Sequence, residues 1–183
     1  MKKLLLITGD IAAGKSTFSK ILSERYCAAA FQKDTIKEIL GDHIGFHNRE
    51  ENKILSNAAI EIMCHIFSQI AVTGHNVILE ANFHENELKN LHSIAHERQY
   101  DVLTLVLRGN ADVLYNRYIH RMNEENRHPV HLATTLDVKE DFVKVAKWIR
   151  NERIIGGKLV IEATDFSYQK DMEIIKQIDF FMK

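Results

Sequence analysis

Residues 9–17 read GDIAAGKST. Two glycines five apart, then a lysine and two hydroxyls, match the pattern G-x-x-x-x-G-K-[ST]. Glycine lets the backbone turn tightly, so that successive N–H groups face inward as an anion nest. A lysine at this point reaches the β- and γ-phosphates of a nucleotide, and the hydroxyl after it ligates Mg²⁺. Gly9, Asp10, Ile11, Ala12, Ala13, Gly14, Lys15, Ser16 and Thr17 are therefore expected to bind phosphate. Lys15 also serves catalysis and Ser16 is the metal ligand. The apolar run KLLLIT before the motif and the helical stretch FSKILSERY after it supply the required context. The competing reading is a glycine-rich turn with a surface lysine. Gly156-Gly157-Lys158 lacks the first glycine and precedes a strand pattern, so it reads as a turn.

Other residues could complete the chemistry. Glu80 interrupts the apolar run VILEAN, and a carboxylate there is costly to bury unpaired. At a strand end it meets Mg²⁺-bound water or substrate; otherwise it pairs with Lys15 or an arginine. Asn82 contacts substrate or caps the next helix. Arg117 and Arg121 lie four apart in DVLYNRYIHRM, on one helix face, and Arg127 follows. The planar fork of arginine matches the equatorial oxygens of a transferring phosphoryl group. Arg121 and Arg127 are the expected catalytic arginines and Arg117 is expected at the nucleotide. Alternatively, all three are solvated and paired with Glu124 and Glu125. Arg108 stacks on a base or anchors the lid, and Lys33 is a substrate contact or a solvated charge. The pairs His43/His47 and His92/His96 have zinc-compatible spacing without an intervening H-E-x-x-H glutamate, and read as surface residues. His128 and His131 contact substrate or pack the lid.

These residues must be held by a scaffold. Short apolar runs at 3–8, 28–32, 76–82, 101–107 and 158–163 read as buried strands. Helical spacing predicts helices at 15–26, 35–41, 49–73, 85–99, 111–123 and 167–182. Thr35 with Glu38 suggests a capping box, and Asp34 is a plausible helix N-cap. Alternating strands and helices imply a parallel sheet with right-handed crossovers and helices on both faces. Ligands in such sheets bind beyond the carboxyl ends of the strands. That edge carries Gly9, Asp34, Glu80 to Phe83, Arg108 and Asp165.

Composition bounds the answer. The 183 residues suit one domain, with a helical arm at about 35–75 and a lid at about 117–135. A formal net charge of −1 argues against general nucleic-acid binding. Cys27 and Cys64 have no CxxC spacing and read as buried reduced thiols. No run reaches the about 20 apolar residues of a membrane span, and the short N-terminal run reads as a strand, not a signal peptide. A cytoplasmic location is expected. A GTPase is disfavoured: Asp42-His43-Ile44-Gly45 follows a helix pattern rather than a strand, and N-K-x-D is missing.

GDIAAGKST, FQKDTIKEIL, VILEANF and VLRGNADVLYNRYIHRMNEENRHPVH together resemble the AAA-type predicted kinases, small P-loop kinases. Polynucleotide 5′-kinase, chloramphenicol phosphotransferase and the zeta toxins are similar in layout. The resemblance covers nearly the whole chain. It implies a three-layer α/β/α fold with sheet order 2-3-1-4-5 and an arginine-rich lid. It also implies a base at the tip of the second strand, where Asp34 stands, and substrate contacts from Asp34, Glu80 and Asn82. The expected activity is ATP- and Mg²⁺-dependent transfer of the γ-phosphate to a hydroxyl of a small molecule. A polynucleotide 5′-hydroxyl kinase and a non-kinase ATP-binding switch are the rivals. The acceptor and the oligomeric state are left open.

Overall fold

The hydrophobic run at the N-terminus alternates its faces. Leu4 and Leu6 bury with one set of side chains, Leu5 and Ile7 with another. A strand covered on both sides follows from that pattern. The computed structural model describes residues 2–123, 127–132 and 136–183. It forms a five-stranded parallel sheet in the order β2-β3-β1-β4-β5. The strands are β1 (Lys2–Gly9), β2 (Ala29–Gln32), β3 (Val77–Glu80), β4 (Tyr100–Arg108) and β5 (Gly157–Glu162). The helices are α1 (Lys15–Tyr26), α2 (Lys33–Ile44), α3 (Arg49–Thr73), α4 (Glu85–Glu97), α5 (Ala111–Asn123), the four-residue α6 (Pro129–Leu132), α7 (Lys139–Asn151) and α8 (Met172–Met182).

One core layer joins Leu5, Ile7, Leu105 and Leu107 to Phe18, Phe142, Tyr168 and Ile178. The other joins Leu4, Leu6, Val77 and Leu79 to Met63, Phe67 and Leu91. Over an 18-residue window α3 has a mean hydropathy of 1.3, enough by length and composition alone to cross a membrane. Its apolar positions are interrupted by Ser56, Asn57, Glu61, His65, Ser68 and Gln69. Its Ile60, Met63, Phe67 and Ala71 pack in that second layer, so one face of the helix belongs to the core.

Several local expectations are also corrected. Helix α2 starts at Lys33, two residues earlier than expected, with Gln32 at its N-cap position. Asp34 is therefore not the cap but lies in the first turn, and Thr35 opens no capping box; its hydroxyl donates to Gln32 Oε1 at 3.2 Å. Gln32 can end β2 and begin α2 because its buried side chain donates to the Ser16 carbonyl and the Ser19 hydroxyl. A capping arrangement occurs instead at α4, where Glu87 accepts from the His84 N–H at 2.8 Å. Cys27 is exposed, in a left-handed conformation after α1, whereas Cys64 is buried. The closing segment is a 3-10 turn, Ser167–Lys170, followed by α8. Helix α7 was not anticipated, although Phe142, Ala146 and Ile149 bury one face at helical spacing.

Candidate functional site

The turn after β1 is shaped by what lies beneath it. Gly9 has φ of 130°, and a Cβ there would lie 2.1 Å from the Leu107 carbonyl oxygen, so only glycine fits against β4. Gly14 has φ of 85°, and a Cβ would lie 2.7 Å from the Tyr168 hydroxyl and 2.8 Å from the Phe166 ring. Tyr168 also donates to the Ala13 carbonyl at 2.8 Å. The loop is thus braced by β4 on one side and by the segment before α8 on the other, and α1 starts directly from it.

A cleft of about 840 Å³ opens above the loop at the carboxyl edge of the sheet. Ile11 to Thr17 line it, together with Lys33, Asp34, Glu80, Asn82, Arg117 and Arg121. Gly9 and Asp10 do not: Gly9 backs onto β4, and the Asp10 side chain is fully buried under the loop. Arg127 is outside the lining as well; its charge is felt at His131. Its suggested pairing with Glu124 or Glu125 lies outside the described residues.

Lys15 Nζ donates to the carbonyls of Gly9 at 3.0 Å and Asp10 at 2.8 Å. Burial inside the loop pushes its ammonium below the usual lysine range, against the attraction of Glu80, Asp34 and Asp10. The positive charge of Arg121 adds to the depression. Ser16 Oγ donates to Glu80 Oε2 at 2.9 Å, so the hydroxyl and the buried carboxylate at the end of β3 form one unit. Burial raises the Glu80 carboxyl above the usual carboxylate range, with Lys15 opposing. Glu80 thus meets Ser16 rather than a directly paired cation. Asn82 does not cap α4; His84 holds that position. The Asn82 side-chain oxygen accepts from the Gly9 N–H at 3.4 Å and the Thr8 hydroxyl at 3.5 Å.

Arg117 donates to the Ala12 carbonyl at 3.0 Å and the Thr164 carbonyl at 2.8 Å, and its guanidinium lies 4.1 Å from the Phe166 ring centroid. It is therefore tied to the loop rather than carried on a separate lid. Arg108 does not line the cleft; it donates to the Arg150 carbonyl at 3.0 Å. His128 bonds Asp42 and His131 bonds Glu38, which packs α6 onto α2 away from the cleft. Val130 is fully buried there, and its carbonyl accepts from Asn52 Nδ2 at 2.7 Å. His47 bonds Glu51, and His92 and His96 stack at 6.2 Å. Among the described residues no group of three or more His, Cys, Asp or Glu could hold a metal.

Three cleft residues were missed from sequence: Asn116, His120 and Phe166. Asn116 and His120 each sit one position before an anticipated arginine of α5, four apart, so the helix period could have found them. Nothing local marks Phe166.

Glu80 gives a pH-dependent prediction. Its folded-state acidity is shifted toward the protonated form. Its contribution to stability is therefore full below the unfolded value near 4.5, and is lost as pH rises through the raised folded value. Glu80→Gln, which mimics the protonated acid, should raise Tm at pH 7 by roughly 2–5 °C. The difference should shrink as pH falls toward 4.5, when parent and variant are melted in parallel. A constant difference at every pH would show that ionisation is not its source.

No curated protein sequence matches significantly. A crystal structure of a provisionally named kinase from Chloroflexus aurantiacus matches with a TM-score of 0.85 at 24% identity, over 100% of this chain and 99% of that one. Kti12 from Chaetomium thermophilum, in complex with ADP-AlF3, matches with a TM-score of 0.64 at 16% identity, over 98% and 99%. Shikimate kinase from Bacteroides thetaiotaomicron matches with a TM-score of 0.57 at 16% identity, over 98% of both chains. These likenesses establish the P-loop fold. A family model described as an AAA domain matches residues 5–137, from the first strand through the phosphate loop to the end of the α5–α7 connection, and the chain belongs to that family.

Proposed function

We propose that the protein transfers the γ-phosphate of ATP to a hydroxyl group of a small molecule. The observation that carries this reading is one cleft joining a phosphate loop to Asp34 and Glu80 on one side and to Arg117 and Arg121 on the other. A binding module for nucleotide alone has no need of a carboxylate exposed opposite the loop. Loop amides and Lys15 hold the phosphates, with Lys15 leaving the Gly9 and Asp10 carbonyls for phosphate oxygens. The Ser16 hydroxyl and the nearby Glu80 carboxylate are hard oxygen donors that fit Mg²⁺, Ser16 as ligand and Glu80 through water. Held there, Mg²⁺ would supply neutralisation of the phosphate charge. Asp34 accepts the acceptor's hydroxyl proton as its oxygen bonds to the γ-phosphorus, and ADP leaves. Arg121 stabilises the equatorial oxygens, and Arg117, over Phe166, holds the nucleotide.

A small acceptor is favoured over a polynucleotide by the net charge of −1 and by a cleft sized for one nucleotide and a modest second ligand. Incubation with γ-labelled ATP, Mg²⁺ and pooled hydroxyl-bearing metabolites, antibiotics and short oligonucleotides tests the reading. Label in one small acceptor is the expected result. Label on oligonucleotide would favour the polynucleotide reading, and free phosphate alone would favour a switch.

A further inference from the structure

Asp10 is a buried charge that phosphate chemistry does not use. Its side chain is fully buried beneath the loop and points away from the cleft. Arg150, at the end of α7, meets it with a fork. Nε donates to Oδ1 at 3.0 Å, and Nη2 donates to Oδ2 at 2.5 Å. Gly109 closes the cluster: its N–H donates to Asp10 Oδ2 at 3.0 Å and its carbonyl accepts from Arg150 Nη2 at 2.7 Å. Arg108 in turn holds the Arg150 carbonyl.

The main chain of Asp10 sits at the centre of the loop. Its N–H donates to the Leu107 carbonyl at 2.8 Å. Its carbonyl accepts from Lys15 Nζ at 2.8 Å and from the Ala13 N–H at 3.3 Å. A side chain clamped at two oxygens by a planar guanidinium has little rotational freedom, and so neither does the peptide that carries it. We propose that Arg150 is a positioning residue: through Asp10 it sets the loop amides and the Lys15 ammonium in phosphate-binding geometry from beneath. This rests on the nucleotide-binding part of the proposed function. Arg150 does not line the cleft, so any effect on nucleotide passes through the Asp10–Gly109 cluster that it holds.

Arg150→Lys keeps the charge and loses the fork. The neutral pair Asp10→Asn/Arg150→Gln removes both charges and carries the test should the first variant not fold. Asp179→Asn is the stability control, since it breaks the Arg25 and Tyr26 contacts far from the loop. MgATP affinity is measured by titration calorimetry on folded protein, with Tm alongside. The expected result is an affinity loss of at least about tenfold in the Arg150 variants. Asp179→Asn should lower Tm while keeping affinity within about twofold of the parent. A folded Arg150→Lys or neutral-pair protein with parental affinity would overturn the positioning role and leave the proposed function standing. A parent that binds no MgATP would overturn both.

Discussion

Lys15→Met should weaken MgATP binding by at least about a hundredfold and yet leave the empty protein more heat-stable than its parent. The first effect follows from the position of Lys15 in the loop, with its ammonium on the Gly9 and Asp10 carbonyls. Among the described residues the other lysine and the arginines of the cleft belong to other elements, Lys33 to α2 and Arg117 and Arg121 to α5. The second effect follows from desolvation. Burial outweighs the attraction of Glu80, Asp34 and Asp10, so the charged form of Lys15 is disfavoured in the fold. Methionine keeps the stem and removes the charge. A Tm increase of roughly 2–6 °C is expected near neutral pH. The sign can be checked by titration. A lysine with a lowered folded value leaves more protons on the unfolded chain between that value and 10.5, so parental stability gains with pH across this window. The variant's advantage should therefore narrow as pH rises. Parallel melts from pH 7 to pH 10 and calorimetric titration read both effects. An empty Lys15→Met protein that melts below its parent would show that attraction to Glu80 and Asp34 outweighs burial.

Sequence reasoning reached what is written locally. The phosphate loop, the apolar strands and the long α3 each announce themselves within a dozen or so residues, because turn chemistry and periodicity are short-range properties. Strand ends then placed Asp34 and Glu80 at one edge. The sheet order needed the resemblance, since nothing in Val77–Glu80 states that it lies between β1 and β2. Contacts that join distant segments were not legible. Asp10 and Arg150 are 140 residues apart; Asp10 reads as one more residue of the phosphate loop and Arg150 as an ordinary surface charge. The seating of Val130 depends on Lys37 and Asn52, which look like solvated helix residues until α2 and α3 pack together. The start of α2 moved because Gln32, unremarkable in FQKD, spends its side-chain amide on α1. Helix α7 was a different kind of miss. Its apolar face, Phe142, Ala146 and Ile149, is set among charged residues in KEDFVKVAKWIRN, which dilute the periodic signal.

Asp34→Asn should lower the phosphoryl-transfer rate by about 10²–10⁴-fold while leaving MgATP affinity within about threefold of the parent. Asp34 is exposed to the cleft from the first turn of α2, and its charge reaches both Lys15 and Glu80. Asparagine keeps the shape and loses the proton acceptor. The structural alternative is that Asp34 only complements the helix dipole at the α2 N-terminus. Losing that interaction costs about 0.3–1 kcal/mol of stability, whereas a rate loss of 10²–10⁴ corresponds to about 3–5 kcal/mol in the barrier. The two roles therefore separate by size as well as by kind. A small drop in Tm with unchanged turnover would assign Asp34 to the helix, and Glu80 would then be the carboxylate left to take the proton. A large loss in single-turnover rate with affinity retained places the missing interaction in the transition state. Glu80→Gln, measured beside it, distinguishes a metal-side carboxylate from a base: its loss should shrink as Mg²⁺ is raised, and that of Asp34→Asn should not.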